Sequence, residues 1–352
     1  MISEAWMSQN LPDLKIHPIS DLLNQNGFLD LRATNGSEIT FQGWVEVCLS
    51  LCGPKKQSTN SNEVLVPVLV SKDIVQRPII GRTDVNCVTN WNVPLVWEGT
   101  FDPIVIDAIY KKTNPRVGVM IFTVGKYTRF LKGFLETGEK HFLTDFRVTY
   151  YIFTDNEKEV PAVALNEGRK ITVLPVPSAK RWQEVVFGRM KWATITIDKQ
   201  IRNEADYLFL MDVDSLFHNR IGAESFSRLY AVLHRGYYKN TERANFPYER
   251  HPESRAYIPV GEGDYYYTAA VLGGYLEDIY KLSEEDARNN IEAVWQEESH
   301  LRITVPSIQQ PTKVLSPEYL WSDYDAVPAD IKVVRISQLK KNYAEVRPNG
   351  GH

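Results

Sequence analysis

Residues 207–214 read YLFLMDVD, five apolar side chains running into two aspartates separated by one valine. An unbroken apolar run of this length suits a strand covered on both faces, and in open α/β sheets the carboxyl ends of such strands border the ligand crevice. Asp212 and Asp214 therefore stand where chemistry is usually done. One intervening residue lets both carboxylates converge on a divalent ion through a turn, with water and phosphate oxygens completing the shell. Hard oxygen ligands favour Mn²⁺ or Mg²⁺ over zinc. In isolation such a triplet is more often a helix cap or a solvated turn, so its meaning depends on its surroundings.

Upstream, apolar strand patterns alternate with helical ones. A strand VGVMIFT (117–123) precedes a helical stretch carrying Phe130, Leu131, Phe134 and Leu135, and a second strand runs from Arg147 to Phe153 and ends at Thr154 and Asp155. A short strand near Ile171 to Leu174 and a helix over about 183–201 lead into the strand that ends on DVD. This alternation predicts an α/β fold with a mostly parallel sheet. Three strand ends, FTVGKY (122–127), FTD (153–155) and DVD, then share one edge, as in a nucleotide-binding crevice. No G-x-G-x-x-G follows the first strand and no G-x-x-x-x-G-K-[ST] occurs, so neither a dinucleotide fingerprint nor a P-loop supports the alternatives.

With 352 residues, 43% of them hydrophobic, the chain can bury a substantial core. Residues 1–80 read as a polar, irregular, stem-like or accessory region, and residues 81–352 as the domain that holds the alternating strands and helices. A net charge of −4 without long basic blocks argues against nucleic acid as a partner. Cys48 and Cys52 lack a second cysteine or histidine pair at metal spacing, so zinc is not indicated. Glu297 and His300 form a single E-x-x-H, whereas a di-iron site needs two. No run approaches the ~18 to 20 apolar residues of a membrane helix, and no signal core opens the chain.

Further segments make the pattern specific: KRWQEVVFGRM (180–190), YIPVGEGDYYYTAAVLGG (257–274), IEAVWQEESHL (291–301) and PTKVLSPEYLW (311–321). Together with FTVGKY and DVD, in this order, they resemble glycosyltransferase family 6, over roughly residues 92–347. The resemblance implies a GT-A fold, a UDP-galactose or UDP-N-acetylgalactosamine donor and Mn²⁺. It further implies retaining α-1,3 transfer to a galactose or N-acetylgalactosamine of a glycolipid or glycoprotein glycan. Members are type II Golgi membrane proteins, so the Golgi lumen is the expected compartment, with membrane association expected from the family and not from this chain.

Carried over residue by residue, the resemblance assigns Asp212 and Asp214 to the cation and Val213 to the donor site between them. Phe122, Val124 and Tyr127 match the segment that cradles uracil and ribose, and Arg189 matches a donor-facing arginine. Lys341, Tyr343 and Arg347 match a tail that orders over the diphosphate, where cations beside phosphate make electrostatic sense. Glu298 aligns with the carboxylate assigned as nucleophile or oxocarbenium stabiliser, and retention requires double displacement or front-face attack. Trp295 belongs to the acceptor set. Glu297, a donor-site position, stands where relatives commonly carry aspartate, and Gln296 where the blood-group enzymes carry histidine. Thr268, Ala269 and Ala270 occupy the tract that touches the donor's 2-substituent and the acceptor. A methyl at Ala270 narrows that pocket and favours galactose, although a Forssman-type relative with alanine there uses the N-acetylated sugar. His234 and Tyr237, in LHRGYY (233–238), follow the blood-group acceptor pattern, and Gly236 leaves space for a branching fucose. The rival readings are a catalytically inactive GT-A domain and a metal-dependent nucleotide hydrolase.

Overall fold

In a computed structural model the described residues are 2–3, 15–17, 41–50, 63–71, 82–178, 182–252, 257–289 and 310–346. The chain divides into two compact units, Met1–Thr83 and Asp84–His352. The first carries three strands, β1 (Ile2–Ser3), β2 (Phe41–Ser50) and β3 (Glu63–Ser71), in the order β1-β3-β2. The region expected to be irregular therefore contains an antiparallel strand pair. Pro67 argues against a central strand, but β1 pairs only with Val70 and Ser71, so Pro67 lies where β3 has one neighbour.

The second unit is built on an eight-stranded sheet. Its strands are β4 (Leu95–Val96), β5 (Arg116–Thr123), β6 (Arg147–Thr154), β7 (Lys170–Pro175), β8 (Tyr207–Met211), β10 (Leu229–Leu233), β11 (Tyr267–Tyr275) and β12 (Lys313–Leu315), in the order β4-β12-β10-β11-β8-β5-β6-β7. Only β11 runs antiparallel to its neighbours. Helices α1 (Pro103–Lys111), α2 (Thr128–His141), α3 (Trp182–Lys199) and α4 (Leu276–Asn289) complete the layers.

Strict alternation explains the layering. Val119, Ile121, Tyr150, Ile152, Phe209 and Met211 enter one core cluster with Leu131, Phe134 and Leu135 of α2. Met120, Phe122, Tyr151, Phe153, Leu208 and Leu210 enter the other, with Ala193 and Ile197 of α3 and Ile279 and Leu282 of α4. A strand with both faces covered has no polar side, which is why these stretches read as unbroken apolar runs. The chain leaves β5 toward β6 and β7 and returns to β8 on the other side of β5. That reversal opens a crevice at the carboxyl ends of β5 and β8, the edge on which FTVGKY and DVD emerge.

A three-stranded sheet flanks this edge: β9 (Ser215–Phe217) pairs antiparallel with β14 (Ile336–Gln338), which pairs parallel with β13 (Trp321–Ser322). Because β9 follows DVD directly, its register Ser215↔Gln338 carries the C-terminal chain back to the aspartates.

Gly273 and Gly274 hold β11 between β8 and β10. A Cβ at Gly273 would lie 2.6 Å from the Leu208 carbonyl oxygen, and one at Gly274 would overlap the Arg228 carbonyl. Backbone cannot move aside as a side chain can, so Gly274→Ala should cost about 2 to 3 kcal/mol of stability, measured by urea unfolding.

Candidate active site

The carboxyl end of β8 holds the two aspartates in unlike surroundings. Val213 is buried in the core, and the chain bends at Val213 and Asp214. Asp212 receives the Arg189 guanidinium of α3, Nη2 to Oδ1 at 2.8 Å. Arg189 itself lies 5.1 Å above the Phe122 ring, which stacks on Phe153 at 4.5 Å. Asp214 is 2% exposed and forms an ion pair with Lys341 through Oδ2. The Leu339 N–H donates to the Asp214 carbonyl at 2.9 Å, which continues the β9–β14 ladder and delivers Lys341 to the site.

Burial raises the pKa of the Asp214 carboxyl and the charge on Asp212 raises it further, while Lys341 opposes both. Burial works against the Lys341 ammonium, but Asp214, Tyr127 and Asp212 outweigh it and raise its pKa. Each group supports the charged form of the other.

The Asp212 N–H donates to the Ala270 carbonyl at 2.9 Å. At this point β11 leaves the β10 ladder: Ala231 pairs with Leu272, but the next residue, Val232, pairs with Thr268. Ala269, Ala270 and Val271 thus form a bulge that is unpaired with β10, while Val271 still pairs with Met211 of β8. A bulge bends its strand and re-aims side chains, and this one is tied to the aspartates through a single backbone hydrogen bond from Asp212 to Ala270. Thr268 Oγ1 accepts from the Ala270 N–H at 3.2 Å and fixes the start of the bulge.

Just before β11 the chain meets the turn at residues 233–238. His234 N–H donates to the Tyr266 carbonyl at 2.8 Å, and the Gly236 N–H donates to His234 Nδ1 at 3.1 Å, which places the imidazole proton on Nε2. Tyr237 packs 4.8 Å from Tyr266 and 5.0 Å from His234. These rings form an amphipathic aromatic cluster of the kind that presents both stacking area and a polar edge.

At the end of β5, Val124 and Tyr127 are buried, Tyr127 within 5.7 Å of the Lys341 ammonium. Gly125 adopts φ 59°, open to glycine without strain, and its N–H donates to Asp155 Oδ1 at 2.9 Å. That bond joins the ends of β5 and β6. The rim beside it is an open cleft of about 490 Å³ lined by Lys126, Arg129, Asp155 and Asn156.

The structure thus gathers Phe122, Tyr127, Arg189, Asp212, Val213, Asp214, Ala270 and Lys341 at one place, with Thr268, Ala269, His234 and Tyr237 along the adjoining strand end. Trp295, Glu297, Glu298 and Arg347 lie outside the described residues, as does the side chain of Tyr343. The roles of Tyr266, which joins His234 and Tyr237 to the start of β11, and of Asp155, which pins Gly125, were not foreseen. FTD at the end of a strand was the only signal for the latter. Among the described residues no group of three or more His, Cys, Asp or Glu side chains could hold a metal alone. The two aspartates supply two protein ligands, and Asp214 Oδ2, a buried hard oxygen already held by the Lys341 cation, suits a hard divalent ion completed by diphosphate oxygens.

Removing one partner of a buried ion pair leaves an uncompensated charge. Asp214→Asn should therefore destabilise the metal-free protein by about 3 kcal/mol in urea unfolding with EDTA, and Lys341→Met in addition should recover part of the loss.

Comparison with known proteins gives a consistent answer. The model of glycosyltransferase family 6 matches residues 52–348. Globoside alpha-1,3-N-acetylgalactosaminyltransferase 1 of Gallus gallus is 46% identical over 76% of this chain and 79% of that protein. Histo-blood group ABO system transferase 2 of Rattus norvegicus is 40% identical over 86% of this chain and 90% of that protein. Glycosyltransferase 6 domain-containing protein 1 of Macaca fascicularis is 36% identical over 73% of this chain and 84% of that protein. With its mostly parallel α/β sheet and these relatives, the chain belongs to glycosyltransferase family 6 and is a glycosyltransferase.

Proposed function

We propose that this enzyme transfers N-acetylgalactosamine from a UDP donor, in α-1,3 linkage and with retention, to a terminal galactose or N-acetylgalactosamine of a glycolipid or glycoprotein glycan, with Mn²⁺ or Mg²⁺ as cofactor. The observation that carries the proposal is the pair of carboxylates at the end of β8, each met by a buried cation and tied by one hydrogen bond to the bulged tract of β11. The α-1,3 linkage and the N-acetylated sugar draw support from the activity named for the chicken relative. Ala270 alone favours galactose, and that relative tips the choice.

The chemistry follows from charge. Cleavage of a sugar nucleotide leaves negative charge on the diphosphate, and a cation held by Asp212 and Asp214 would supply Lewis-acid stabilisation there. Arg189 and Lys341 bring two further positive groups to the same place and are suited to hold diphosphate oxygens by charge-assisted hydrogen bonds. Since the Asp212 N–H holds the Ala270 carbonyl, the wall beside the donor's 2-substituent moves with the leaving-group site and not independently of it. The cluster of His234, Tyr237 and Tyr266 presents rings for the acceptor sugar, and Glu298 is assigned the carboxylate that stabilises or attacks the anomeric carbon. We place the reaction in the Golgi lumen; among the described residues no helix is long and apolar enough to cross a membrane.

Radiolabel transfer from UDP-N-acetylgalactosamine and, separately, UDP-galactose to fucosylated and unfucosylated acceptors tests the proposal. Manganese-dependent product abolished by EDTA is expected, with Asp214→Asn lowering kcat by about a thousandfold. Product formed equally well in EDTA would remove the cation from the scheme, and donor binding without transfer to any acceptor would favour an inactive domain. Ala270→Gly should raise the preference for the N-acetylated donor by about tenfold in kcat/KM, the scale on which one methyl in a pocket discriminates.

A further inference from the structure

We propose that Lys341 is an internal counter-cation of the paired aspartates, which a divalent ion must displace, so that the protein takes up metal well only together with a nucleoside diphosphate. The inference rests on the assignment of Asp212 and Asp214 as metal ligands.

The basis is a charge balance in a site with little water. The side chains of Lys341 and Asp214 are 8% and 3% exposed, and those of Arg189 and Asp212 are 9% and 19% exposed. Two cations already match two carboxylates. A divalent ion arriving alone would have to break the Lys341–Asp214 pair and would add two uncompensated positive charges where solvent screens them poorly. A diphosphate arriving with the ion brings the missing negative charge and gives the displaced ammonium a new partner within reach of the same segment.

The segment is held in place from both sides of Lys341. On its amino-terminal side the Leu339 N–H is tied to the Asp214 carbonyl. On its carboxyl-terminal side lies the one-turn helix α5 (Tyr343–Val346), whose Glu345 forms a 3.2 Å ion pair with Arg129 at the start of α2 and accepts from Asn342 Nδ2 at 3.1 Å. Arg129 and Glu345 are half-exposed, so this clasp is weaker than the buried pair it positions. Lys341 is thus poised on Asp214 by one strong tie and one loose one, as an exchangeable ligand requires.

Isothermal titration of Mn²⁺ into the metal-free full chain, with and without UDP, tests this by binding and not by turnover. Without UDP, Lys341→Met should bind Mn²⁺ about tenfold more tightly than the unaltered protein, while Lys341→Arg should bind as weakly as the unaltered protein. The enhancement of Mn²⁺ affinity by UDP should shrink correspondingly in Lys341→Met, since coupling between two ligands is reciprocal. Glu345→Ala, which loosens the clasp at an exposed position, should shift Mn²⁺ affinity in the same direction by about twofold to threefold and serves if Lys341→Met does not fold. Equal affinity in all these proteins, with Asp214→Asn abolishing binding, would overturn the counter-cation while leaving the metal ligands standing. No Mn²⁺ binding even with UDP would overturn the ligand assignment and this inference with it.

Discussion

Two carboxylates held one residue apart at the dry end of a buried strand repel each other and lose their hydration, so a folded chain can keep them ionised only by bringing positive charge to them. In this protein the cations come from distant parts of the chain. Arg189 descends from α3, which packs on one face of the sheet, and Lys341 arrives along the small sheet that begins one residue after Asp214. The same repulsion that makes the pair costly makes it responsive to an entering divalent ion or phosphate, which gives chemical sense to placing it at the crevice.

The scaffold serves that placement. Covering both faces of β5, β6 and β8 leaves only strand ends free to carry polar groups, and reversal of the strand order between β5 and β8 brings the useful ends together. β11 is the exception in direction, antiparallel to both neighbours, and it is the strand whose bulge meets the aspartates. Its glycines let it lie close to β8 and β10, and its bulge releases Ala269 and Ala270 from the β10 ladder just where the aspartates emerge. The two aspartates, the bulged residues and the turn at His234 thereby share one short stretch of backbone.

The core strands and helices were legible because their signals are local. Apolar runs mark strands buried on both faces, and apolar spacing at Leu131, Phe134 and Leu135 marks the inner face of a helix. The strands in the first unit were less legible, since Pro67 breaks the expectation of a paired strand and only the short reach of β1 makes it acceptable. Phe122 and Tyr127 were read as donor contacts, and the structure adds what a motif cannot carry: both are packed in the core, one beneath Arg189 and the other beside Lys341.

By itself the sequence determined the α/β class, the family and the identity of the acidic pair, because each depends on residues near one another in the chain or on motifs kept in order. Only the tertiary structure decided which cation meets which aspartate, that the Ala270 carbonyl is bound to the Asp212 backbone, and that Arg129 clasps Glu345. Those partners are 23 residues apart for Arg189 and Asp212 and 216 apart for Arg129 and Glu345. Contacts at such separations have no local periodicity to announce them; they exist because sheet order, a bulge and the β9–β14 register bring distant backbone into hydrogen-bonding range.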